Sequence, residues 1–478
     1  MILDRQYYLN IFCTDERGME ELIATALRHG GNYCDLFFES SSNTDLVLQD
    51  GEVSSGGFSE DYGVGIRVLN GEKTGYAYAE STEWDAMKKS AEAASAIASG
   101  SVPSGPAVSS PAYRGRPNPA ADRYPMEIDW RKKSISDLIP YLTRLESLVR
   151  AKDSRIDKLQ AVISSEVRDI LMYNSLGELK YDTRPTGAII LSATFSQGNV
   201  TENKYVSRSL MAGAEMISDA LLEEMAEDIV NGIDERFAAR RPKGGRMPVV
   251  MGAGSSGILL HEAMGHAFEA DFNRKGQSVF SGRMGQRICP RGINVIDDGT
   301  IRGNRGAVNF DDELVPGQKT YMVEDGVLSS YLHDRISAAY YGVKPTGNGR
   351  RESFRYHPLP RMRATYMEGG DARPEDIIAS VRKGIFVDEF SNGQVKIGEG
   401  DFTFYVKSGF LIENGRLTMP IKDINVIGNG PQALADISMV GNDFKMDKGA
   451  SVCGKGQEVQ VSLGIPTVLI NNLTVGGE

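Results

Sequence analysis

The sequence predicts an α+β protein in two domains. A mixed domain, with helices on a β-sheet, is expected over residues 1–240. A β-rich domain carrying a metal-binding helix is expected over 241–478. Three observations lead there. The chain, at 478 residues, is too long for one ordinary core. Its first half alternates helical periodicity with strand-like alternation. Its second half consists mostly of short apolar runs punctuated by Asp-Gly and Asn-Gly turns.

The elements follow in order. Residues 17–30, RGMEELIATALRHG, place apolar residues at helical spacing and end at a glycine pair. YCDLFFES and TDLVLQDGEV read as strands. GVGIRVLNGEKTGYAYAES reads as a hairpin turning at Asn70-Gly71, where positive φ is needed. STEWDAMKKSAEAASAIAS opens on a Ser/Thr cap and reads as a second helix. Residues 100–125 are rich in Pro, Ser and Gly and read as a loop. A helix follows in SISDLIPYLTRLESLVRAKDSRI. Three strand-like runs come next, LQAVISSEVRDILMYN, GELKYDTR and GAIILSATFSQ, the first two joined at Leu176-Gly177. A further helix around 214–240 closes the first domain. The second opens on a short buried strand, MPVVM, followed by GAGSSG and a histidine-bearing helix.

The overall charge narrows the function. Net charge is −11, from 53 basic and 64 acidic residues, which suits neither DNA nor RNA phosphate contacts. MILDRQYYLNIFCTDERG has no basic region followed by a long apolar core, so no signal peptide is expected. No run of 18 apolar residues occurs, so no transmembrane helix is expected. Four scattered cysteines make neither a zinc ribbon nor a disulfide framework, and a cytoplasmic location is expected.

Gly252, Gly254 and Gly257 spell GxGxxG between a strand and a helix. A dinucleotide site, and with it an oxidoreductase, needs a second parallel strand about 20 residues on. That region reads NRKGQSVFSGRMGQ, which is polar and broken by glycines. The glycines are sufficiently explained by a tight turn, whose free N–H groups, at Gly254 for example, suit a substrate carbonyl or carboxylate.

LLHEAMGHAF, residues 259–268, holds two of the five histidines. His261 and His266 are five apart. At about 100° per residue they lie about 140° apart on a straight α-helix, too far to share one ion. Gly265 weakens the helix just before His266. The spacing therefore predicts a distorted helix, either a π-type bulge or a break at Gly265. Glu262 directly follows the first histidine, the position from which a glutamate moves protons in zinc peptidases. A catalytic zinc takes about three protein ligands and keeps one position open. Glu269 and Asp271 are the local candidates for the third, and Cys453 in GASVCGKGQEV is the distant one.

HEAMGHAFEAD resembles the HExxxH signature of the TldD/PmbA family, once described as modulators of DNA gyrase. FDDELVPGQKTYMVEDGVLSSYLHDR, PTGNGRRESFRYHPLPRM, GEGDFTFYVKSGFLIENGRLTMPIKDINVIGN and VCGKGQEVQVSLGIPTV extend the resemblance over nearly the whole chain. It implies a metal-dependent peptidase acting on peptides or unfolded polypeptides. The subunit would pair as a homodimer, or as a heterodimer with a motif-less paralogue. His261, His266 and Cys453 would hold one divalent metal per subunit, and Glu262 would be the general base. A His/His/Cys set suits zinc, with iron, cobalt or nickel as alternatives. The chain is expected to bind no nucleic acid and no membrane. The alternative is a catalytically silent scaffold or partner-binding subunit of the same fold.

His333, Arg350, Arg351 and Arg361 are further candidates for substrate binding, the arginines for a peptide carboxylate or an oxyanion. Structural roles, a hydrogen-bonded histidine and ion-paired arginines, explain them equally well. His357 precedes Pro358 and reads as a loop residue.

Overall fold

The fold is mixed, with helices and strands in both halves of the chain. A computed structural model describes residues 4–100, 122–124 and 126–476. The Pro/Ser/Gly-rich loop expected at 100–125 lies almost wholly outside the described residues.

Residues before 211 build one six-stranded antiparallel sheet. Its strands are β1 (Tyr33–Gln49), β2 (Glu52–Asn70), β3 (Lys73–Ala79), β4 (Ile156–Asn174), β5 (Leu179–Gln197) and β6 (Val200–Leu210), in the order β3-β2-β1-β4-β5-β6. Two pairs of expected runs are single long strands here. YCDLFFES and TDLVLQDGEV fuse into β1, and GELKYDTR and GAIILSATFSQ into β5. The polar residues between the paired runs misled the reading, because alternation tolerates polar side chains on one face of a sheet. Gly71 and Gly177 take positive φ at the two expected hairpin turns.

One face of the sheet carries the helices. Leu36 and Phe38 of β1 pack under α1 (Arg5–Ile11), α2 (Glu16–Ala26) and α3 (Trp84–Ala98). Leu46 and Leu48 pack under α4 (Ile135–Lys152) and α5 (Asp219–Val230). The helix expected around 214–240 is broken: α5 ends before Asn231, and Gly232 at φ 71 starts α6 (Ile233–Ala238).

The opposite face meets the second half of the chain. Phe37, Ile170 and Met172 pack with Phe310, Leu314 and Phe354. Gly63 and Gly65 of β2 make this approach possible, since a Cβ at either would collide with Phe354. A buried ion network crosses the same contact. Arg67 bonds Asp35 at 2.5 Å and Glu313 at 2.6 Å, and Arg351 adds Asp35 at 3.2 Å.

The second half is rich in strands. β7 (Gly245–Met251), Val468–Gly476, Ile424–Asn429, Asp401–Glu413 and Lys383–Val395 pair in a closed ring. Asp325-Gly326 and Asn414-Gly415 form hairpin turns in which both residues have positive φ. Asp298-Gly299 does not; Asp298 ends a strand, and its carboxylate accepts from Thr300. No described helix is long and apolar enough to cross a membrane.

Candidate metal centre

The histidine segment leaves β7 through the glycine turn. Gly252, Gly254 and Gly257 spend their N–H groups on Val387, Ile465 and Gly254 carbonyls. Gly254 is thus a corner at φ 100, and its amide is not free for substrate. Among the described residues no parallel strand follows in 276–292, so the dinucleotide arrangement does not form.

The helix is distorted where the spacing requires it. Ile258–Leu260 is α-helical, His261–Gly265 makes a π turn, and His266–Phe268 is a 3-10 turn. The N–H of His266 donates to the carbonyl of His261. An i→i+5 bond stacks residues five apart, so the two histidines meet on one face. Leu259, Leu260, Ala263 and Met264 bury the other side in the core of the strand ring. Gly265 does more than loosen the helix. A Cβ there would strike Met362 Sδ. Gly265→Ala is therefore expected to destabilise the protein by about 1–3 kcal/mol through overpacking. Thermal melting and metal content would show it, with partial recovery in Gly265→Ala/Met362→Ala.

The third donor comes from far along the chain. Val452–Gly454 and Glu458–Gln460 form a short hairpin with Cys453 opposite Val459. Cys453 Sγ lies 3.2 Å from His261 Nε2 and 3.2 Å from His266 Nε2. All three donor atoms lie within 4.8 Å of one another, and all three residues are buried. Tetrahedral zinc, with bonds of about 2.0 Å to nitrogen and 2.3 Å to sulfur, sets N and S about 3.5 Å apart. The set fits such an ion after an opening of a few tenths of an ångström.

Glu269 and Asp271, the local alternatives for the third ligand, are spent elsewhere. Glu269 accepts from His266 Nδ1 at 3.1 Å, which turns Nε2 toward the sulfur. Lys455 Nζ bridges Glu269 at 3.0 Å and Asp271 at 2.7 Å, and lies over the Phe272 ring. Burial pushes Glu269 up, but Lys455, then His266 and Arg361, outweigh it and bring the carboxyl down to about 2. Burial also raises the Cys453 thiol, yet His261 and His266 hold it down to about 5. His266 is raised to about 10: burial opposes its charge, and Glu269 and Cys453 override burial. Metal binding must release that proton. His261 Nδ1 has no partner among the described residues.

Glu262 is a partly exposed acid beside the donors. Its side chain is 26% exposed and its carboxylate reaches to 4.0 Å from His266 Nε2.

Arg361 does not face solvent as a substrate ligand would. It is fully buried and donates to the carbonyls of Cys453 at 2.6 Å and Gln457 at 3.0 Å, which fastens the cysteine hairpin. Arg350 ties Met362 and Gln460 carbonyls, and Arg351 belongs to the ion network. His333 packs between Tyr331 and Tyr341, outside the donor cluster, and burial lowers it to about 4. His357 Nδ1 sits beside the Pro358 carbonyl. Lys455 was missed in the sequence. Its position two residues after Cys453 was the available signal.

Comparison with known proteins agrees with the resemblance. Models of the PmbA/TldA metallopeptidase match in three parts: domain 1 over 34–98, the central domain over 128–237 and the C-terminal domain over 244–477. The chain is 38% identical to a metalloprotease TldD homolog of Haemophilus influenzae, over 93% of each chain. It is 35% identical to another from Buchnera aphidicola, over 96% of this chain and 95% of that one. The crystal structure of TldE from Thermococcus kodakarensis shares the fold. Its TM-score is 0.73 at 21% identity, over 96% of this chain and 100% of that one.

Proposed function

The chain belongs to the TldD/PmbA metallopeptidase family, and from that premise we propose that it is a zinc-dependent peptidase working at His261, His266 and Cys453. The observation that carries the reading is the convergence of two imidazole Nε2 atoms on one buried thiol, with a partly exposed glutamate beside them. In this reading residues 241–478 form the catalytic domain and residues 1–240 support it.

A cation held by His261, His266 and Cys453 would supply Lewis acidity toward a peptide carbonyl and would lower the pKa of water to about 7. Glu262 takes a proton from the attacking water and gives it to the departing amine. His266 is held in position by Glu269, and Cys453 by Arg361 on its carbonyl. The apolar wall behind the histidines keeps bulk water from that side. The substrate class is peptides or unfolded polypeptides, and the working assembly is a dimer of like subunits or of this subunit with a motif-less paralogue. We place it in the cytoplasm.

Metal content tests the reading. Protein purified without chelator is expected to carry about one zinc per chain, and Cys453→Ala to lose most of it. Equal metal in both would remove Cys453 from the site. No metal in reduced parent protein given zinc would sink the peptidase mechanism and leave a scaffold.

A further inference from the structure

A cavity of about 270 Å³ lies beside the hairpin that carries Cys453, with Val452, Val459 and Gln460 in its wall. Six arginines also stand in that wall: Arg168, Arg184, Arg305, Arg350, Arg351 and Arg363. Three are neutralised close by. Arg168 pairs with Glu39, Arg184 with Asp312 at 2.6 Å, and Arg351 with Asp35 at 3.2 Å.

The other three have no ion pair among the described residues. Arg305 donates to the Ser451 carbonyl at 3.0 Å and to Ser209 Oγ. Arg350 holds the Met362 and Gln460 carbonyls, and Arg363 the Gly347 carbonyl at 2.6 Å. That leaves Nη2 of Arg305, Nε of Arg350 and both η nitrogens of Arg363 without hydrogen-bond partners among the described residues. All three arginines are at least nine-tenths buried. Four carboxylates share the wall, Glu166, Asp312, Glu352 and Glu458, and none of them forms an ion pair with these three arginines. Asp312 is taken by Arg184, and Glu352 accepts the Glu458 N–H at 2.6 Å. Glu166 offers one charge, met by Gln460 at 3.5 Å. Burial lowers all three guanidiniums, Arg350 furthest, with repulsion from Arg363 and Arg361 adding to it. Unpaired cations in a largely buried wall attract an anion, and a guanidinium fork matches a carboxylate.

We infer that this cavity is a subsite for a carboxylate of the peptide substrate, either its C-terminus or an acidic side chain. The shared hairpin argues for a peptide over a free anion. Val452, next to Cys453 in the strand, and Val459, opposite Cys453 in the hairpin, both line the cavity, so the hairpin that carries the sulfur also forms the cavity wall. Only the carrier of the carboxylate rests on the peptidase reading.

The test is equilibrium binding of three labelled hexapeptides to Glu262→Gln protein supplied with zinc. One uncharged sequence has a free C-terminus, one is amidated, and one is amidated with a single Asp. A carboxylate is expected to tighten binding at least tenfold, and the peptide that gains identifies its source. Equal affinities, or no binding of any peptide, overturn the inference. Arg305→Gln in the same background is expected to abolish the preference with metal content unchanged. Val452→Glu, at an exposed wall position, is expected to weaken the acidic peptides alone. A preference that survives both changes assigns the carboxylate elsewhere. Cleavage is read separately on the unsubstituted protein. A preserved preference without cleavage would sink the peptidase reading and leave the subsite standing.

Discussion

Glu262→Gln is expected to hold as much metal as the parent protein and to lose about 10²–10⁴-fold in kcat/KM for peptide cleavage. The two halves of that result have separate causes. Glu262 is not one of the three converging donors, and its side chain is partly exposed, so an isosteric amide costs the fold little. The amide has no basic oxygen to accept a proton at neutral pH, so the hydrolytic step loses its base. Activity assayed beside zinc content separates the causes. Unchanged cleavage would take Glu262 out of the mechanism. Lost metal would give it a structural part in the site.

The largest stability effect is expected from Arg67→Met. Arg67 is fully buried between Asp35 of β1 and Glu313 of the second half. Burying the three charges is costly, but removing the cation alone is worse, since two carboxylates then stay buried without their partner. A loss of about 3–5 kcal/mol is expected. Asp35 keeps Arg351, and Glu313 keeps the Arg335 N–H at 2.7 Å, which limits the loss. The urea midpoint reads it. Arg67→Met combined with Asp35→Asn and Glu313→Gln is expected to recover part of it, because no uncompensated anion remains. A midpoint unmoved by the single change would show that the network carries no net stability.

Much of the site was legible because its chemistry is local. His261, Glu262 and His266 stand together in a chain poor in histidine, and their five-residue spacing already demanded a distorted turn. Residue order does not give distance between remote segments. Cys453 competed with Glu269 and Asp271 until the hairpin placed its sulfur on both imidazoles. The same limit explains Arg361, which reads as a substrate contact and is found fully buried, holding backbone carbonyls of the cysteine hairpin. Long strands were under-read for a different reason. A strand in a sheet with helices on one face and a second layer on the other has polar stretches that resemble loops. The break between α5 and α6 turns on a single glycine, Gly232, inside an otherwise helical pattern.

The π turn also constrains how this sequence can change by insertion and deletion. Removing one residue between His261 and His266 would restore regular α-helix and leave the histidines four apart, a spacing that binds zinc elsewhere. Yet every side chain beyond the deletion would rotate by about 100° relative to those before it. Phe268, now packed 4.8 Å from Phe280, would leave its place in the core, and Glu269 would leave His266. The two spacings therefore stand one deletion apart on paper, but no single-step path joins them through a folded chain.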